Sequence, residues 1–131
     1  MNRERFKKIV FAEVAFLVVQ FLLGMYLNLF TNASSTDILA ILLIALHIIV
    51  GTVIVAIAAY LTIEVRKISE SDVRNSSIAG LVLVLIAYIG GITFIFTNSN
   101  NILSYIMAAT FVFALVAYAF LAGILSIDTK R

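Results

Sequence analysis

Four long apolar runs separated by short polar links set the pattern of this chain. They extend over 9–30, 38–63, 78–96 and 102–127. A helix needs about 20 apolar residues to cross a hydrocarbon core, and these runs are too long for strands. The pattern therefore predicts an all-α, polytopic membrane protein in one domain: an antiparallel four-helix transmembrane bundle, up-down-up-down. The links at 31–37 and 97–101 are short enough to make spans one and two, and spans three and four, antiparallel neighbours. Ser35 or Asp37 is placed to cap the second helix. The segment Thr97-Asn98-Ser99-Asn100-Asn101 reads as a tight turn.

Composition agrees with the pattern. The chain is 63% hydrophobic and 12% charged, against roughly 25% charged residues in soluble domains. Every Lys and Arg falls on one side of the spans. Arg3, Arg5, Lys7 and Lys8 precede the first, Arg66, Lys67 and Arg74 join the second to the third, and Lys130 and Arg131 follow the fourth. The positive-inside bias then places both termini in the cytoplasm of a multi-pass protein of the cell membrane. The net charge of +2 reflects this topology and no affinity for nucleic acid. The basic start, followed by an apolar run with no small-residue cleavage site, reads as a retained span and not as a removed leader.

Chemistry within the spans is sparse. The chain has one histidine and no cysteine, which excludes thiolate catalysis, disulfides and a typical zinc site within one chain. On span one, Glu13, Gln20, Gly24 and Asn28 recur at helical spacing and should form an inward stripe, because polar residues in hydrocarbon face protein or a water-filled cavity. On span two, Leu43, His47, Gly51 and Ala58 follow the same period, and Gly51 is expected to open room beside the imidazole. Counted from the outer boundary, Gln20 and His47 come to about the same depth, roughly 14 Å at 1.5 Å per residue. Tyr88 and Thr110 fall near that level, which gives a candidate layer of four. Tyr26 and Tyr105 read as interfacial anchors. Ala119 and Gly123 form a small-xxx-small pair, available to the bundle or to a dimer.

His47 is the candidate metal ligand, as an axial imidazole for a b-type haem (heme b). A single chain would leave the iron five-coordinate or add Met25 or Met107, whereas a homodimer could supply two copies of His47. The other reading makes His47 an interhelical hydrogen-bonding group. Gln20-x-x-x-Gly24, followed by His47-x-x-x-Gly51, resembles the pattern in one four-helix half of the haem A synthase family. That resemblance covers the first two spans and implies a cofactor site containing Gln20, Gly24, His47 and Gly51. The chain departs from the family in having no second histidine in span four, where Thr110 or Phe111 stands. Its outer loop also carries neither a cysteine pair nor a glutamate–histidine pair.

Three functions are compatible with these features. The first is a small haem-binding, cytochrome b-like protein exchanging electrons with a quinone or membrane oxidase. The second is a non-catalytic accessory subunit of a membrane complex. The third is a dimeric small-solute transporter or channel lined by Glu13, Gln20, Asn28 and His47. All three allow a homo-oligomer or a partner membrane subunit in the lipid bilayer.

Overall fold

The computed structural model describes residues 3–30, 37–97 and 101–127. Most of the link at 31–36, including Ser35, lies outside the described residues, as do positions 98–100 of the second turn and the tail at 128–131. Four helices make up the molecule: α1 (Arg3–Phe30), α2 (Ile38–Val65), α3 (Ser71–Phe96) and α4 (Asn101–Ile127). Each is long and apolar enough to cross a membrane. The helices outrun the apolar spans where charged residues continue the coil, as in Arg3–Lys8 before the first span and Ser71–Ser77 before the third. Asp37 caps α2, its side chain accepting a hydrogen bond from the Leu39 N–H at 3.0 Å.

The helices form a ring in which α1 packs on α2, α2 on α3, α3 on α4 and α4 back on α1, every neighbour antiparallel. The α3–α4 seam is the most extensive. Buried positions step by fours and threes along each helix: Phe6, Val10, Glu13, Leu17 and Gln20 on α1, and Gly51, Ile54, Ala58, Leu61 and Val65 on α2. That spacing puts a narrow stripe toward the neighbours and leaves the remaining circumference for lipid. Exposed large apolar residues such as Leu22, Ile49, Ile89 and Phe113 occupy that outer circumference.

Three close approaches fix the register. Gln20 of α1 stands over Gly51 of α2, and His47 of α2 stands over Gly24 of α1. Continuing this antiparallel register by turns sets Leu17 level with Ile54, Glu13 with Ala58, Val10 with Leu61 and Phe6 with Val65. On the other side of the ring, the Tyr118 ring lies against Gly80, and Met107 lies against Gly90 and Gly91. Hydroxyl contacts register α2 on α3. Thr62 Oγ1 is 3.3 Å from both the Ser77 carbonyl and its hydroxyl, and Thr52 Oγ1 is 2.9 Å from the Tyr88 hydroxyl.

The two ends differ in charge. One carries Arg3, Arg5, Lys7, Lys8, Arg66, Lys67 and Arg74 and is called the basic end below; the other, where α1 ends and α2 begins, has no Lys or Arg. At the basic end, Arg3 pairs with Glu70 at 3.5 Å and Lys67 with Glu64 at 2.9 Å. Exposed pairs of this kind add little to stability, so packing of the stripes holds this end together.

Candidate functional site

The site grows out of the α1–α2 seam. Cβ bonds lean toward a helix's own N-terminus, so antiparallel side chains lean in opposite directions. Gln20 leans toward the basic end and His47 toward the other. At the level of Gln20 therefore stands Gly51, and His47 lies one turn farther away, opposite Gly24. Gln20 thus meets the backbone of His47 through its amide, while the two side chains diverge along the seam.

Gln20 Nε2 donates to the backbone carbonyl of His47 at 2.9 Å. The carbonyl points along α2 toward Gly51, and the absence of a side chain there lets the amide in. A Cβ at position 51 would stand 3.1 Å from Gln20 Nε2 and 3.6 Å from the Tyr88 ring. The room at Gly51 thus belongs to the amide and the tyrosine, not to the imidazole. The imidazole takes its room from Gly24, where a Cβ would stand 3.0 Å from His47 Cε1. Each helix presents one large polar side chain and one glycine, a turn apart, and the two sets interlock.

The remaining expected groups divide. Tyr88 reaches Thr52 at the Gln20 level. Thr110 turns its hydroxyl back to the Ile106 and Met107 carbonyls of its own helix, at 2.8 and 3.1 Å. Asn28 is exposed, not inward, because the bundle has opened at that depth. Met25 is exposed, and Met107 packs on α3. Ala119 and Gly123 face away from the bundle, and a Cβ at Gly123 would meet nothing within 4 Å. Tyr26 and Tyr105 are exposed near the end without Lys or Arg.

Among the described residues, four polar side chains on the inner faces of the spans carry buried atoms without a hydrogen-bond partner. Two of them are Glu13, through both carboxyl oxygens, and Gln20, through Oε1. The other two are His47, through Nδ1, and Tyr118, through its hydroxyl. Glu13 and Tyr118 are 0% exposed and Gln20 5%. Buried polar atoms are normally paired, so this concentration marks a functional candidate rather than packing alone. Tyr118 escaped sequence reasoning because a tyrosine within an apolar run has no periodic signature of its own. Its pairing with Gly80 follows only from the observed bounds of α3 and α4 and not from the apolar runs.

His47 has the unpartnered nitrogen a metal ligand needs. As packed, however, its Cε1 corner abuts α1, and both ring nitrogens lie 3.8 Å from the position of a Gly24 Cβ. A macrocycle lies across the ligating nitrogen and would overlap α1, so the present packing does not fit a haem. Among the described residues, no group of three or more His, Cys, Asp or Glu side chains could hold a metal ion. Comparison with protein-family models, curated proteins and solved structures returned no match.

Proposed function

We propose that this chain moves a small polar solute across the bilayer along the interior face of α1. The observation behind the reading is the series of interior groups with unpartnered atoms, Glu13 and Tyr118, then Gln20, then His47. Such atoms are costly in hydrocarbon unless a passing or resident polar species meets them. Gln20 offers an acceptor, and His47 offers a donor or acceptor according to its tautomer. Leu17, fully buried between Glu13 and Gln20, separates them in this closed arrangement. Passage therefore requires α1 to shift against its neighbours.

Purified protein in liposomes tests the reading with three probes: protons followed by an entrapped dye, and urea and glycerol followed by osmotic swelling. At least one flux should exceed that of empty liposomes and fall severalfold in Gln20→Leu. Fluxes equal to those of empty vesicles for all three probes, or a flux indifferent to both Gln20→Leu and Glu13→Gln, would refute it.

Haem ligation is the second reading, favoured by the unpartnered His47 Nδ1 and by the likeness to the haem A synthase half-bundle. It implies electron exchange with a quinone or oxidase and requires α1 to withdraw from the imidazole. A Soret band that disappears in His47→Ala would select it. Colourless protein after expression with ample haem would reject it.

A further inference from the structure

Glu13 lies deeper in the packed half of the bundle than any other carboxyl among the described residues. The α1–α2 register puts it level with Ala58, and the α2–α3 and α3–α4 registers bring that level to within about two residues of Gly80 and Tyr118. Glu13 and Tyr118 thus share one layer of the packed half. Both are 0% exposed, and neither finds a hydrogen-bond partner. The Tyr118 ring can enter this layer only because position 80 is glycine, since a Cβ there would sit 2.6 Å from the ring.

Among the described residues, no cation reaches the carboxyl. The buried residues of α2 are Ala40, Gly51, Ile54, Ala58, Leu61 and Val65, and those of α3 have Ser77 as their only polar side chain. Tyr118 is the titratable group among the buried residues of α4. On α1 itself, Lys7 and Lys8 stand more than a turn away toward the basic end. Glu64 and Lys67, and Asp72 and Arg74, lie at the rim of α2 and α3. An ionised carboxylate alone in such surroundings is far costlier than the neutral acid.

We propose that Glu13 is a proton-binding site whose carboxyl carries its proton at rest and exchanges it with water at the basic end. The O–H bond of the acid breaks, the proton passes to water, and the carboxylate keeps the electron pair. The basic end is the shorter route. A cavity of about 250 Å³ lined by Arg3, Phe6, Glu64, Lys67 and Leu125 opens there, and Phe6 is seven residues, about 10 Å, from Glu13. The site deepens the solute-moving reading by making the proton its ligand at this layer, but it can exist without transport.

Infrared spectroscopy of the protein in lipid nanodiscs tests it. At neutral pH the wild type should show the carbonyl stretch of a neutral carboxylic acid, shifted in heavy water. The band should be absent in Glu13→Gln, move in frequency in Glu13→Asp, and vanish on alkalinisation while helix content persists. In Tyr118→Phe the band should persist, because no hydrogen bond from that hydroxyl reaches the carboxyl. An unchanged spectrum in Glu13→Gln overturns the site, as does a band that never titrates in folded protein. Proton flux without the band removes this site and leaves transport standing; the band without any flux does the reverse.

Discussion

The basic half and the half without Lys or Arg belong to the same four apolar helices, yet only one is closed. In the basic half, Phe6, Val10, Leu61, Val65, Val73, Tyr118, Leu121 and Leu125 are fully or almost fully buried. Beyond Gln20, α1 buries nothing. Before Gly51, α2 buries Ala40, after Ala87 α3 buries Gly90, and before Ala114 α4 buries nothing. Hydropathy does not explain this, since lipid solvates a leucine as well as another helix does. The difference lies in fit. Gly80 admits the Tyr118 ring and Ala58 leaves room at the level of Glu13, whereas Phe21 and Phe111, with ring centroids 6.4 Å apart, stand between α1 and α4 farther along. Closure in a bilayer follows side-chain shape, and the polar groups sit where the closed half gives way to the open one.

Substitutions can break or sharpen this contrast. The largest effect is expected from truncation in the closed half: Leu121→Ala should destabilise by about 2–5 kcal/mol, and Phe113→Ala on the lipid face by a small fraction of that, as measured by reversible unfolding in mixed micelles. Equal losses would show that the halves are packed alike. Next comes Gly80→Ala, where the added methyl must displace the Tyr118 ring at a cost of about 1–3 kcal/mol. Gly123→Ala is its control and should leave stability unchanged or slightly raised, because alanine is the better helix former. At the boundary, Gly24→Ala and Gly51→Ala should each cost about 1 kcal/mol, less than Gly80→Ala, since the imidazole and the amide can move aside. A proton resonance of His47 that shifts in Gly24→Ala would confirm the seat. The smallest effect belongs to the hydroxyl links. Tyr88→Phe and Thr62→Val should each lose about 0.6 kcal/mol, the usual scale of a hydrogen bond between membrane helices.

The fold was legible because hydropathy over twenty-residue windows is a strong signal and positive charge fell entirely on one side of the spans. The inward faces of α1 and α2 were legible from Glu13, Gln20 and Gly51, whose spacing matches the helical period. Register was not. It depends on how two helices slide past each other, which the Gln20–Gly51 and His47–Gly24 contacts determine and link length does not. For the same reason Thr110 reached the right level but bonds its own helix, and Asn28 kept the right spacing beyond the depth where the bundle closes. Tyr118 needed knowledge of its neighbour, because the glycine that admits it lies on another helix.

The interlocked seam of α1 and α2 acts as a detent against shear. Moving one helix by a turn in one direction drives the Gln20 amide head-on into the His47 ring; the other direction sets Gly24 facing Gly51 across a void. A full-turn slip thus loses the interlock either way, whereas the loosely packed ends without Lys or Arg can part about the tightly filled basic base.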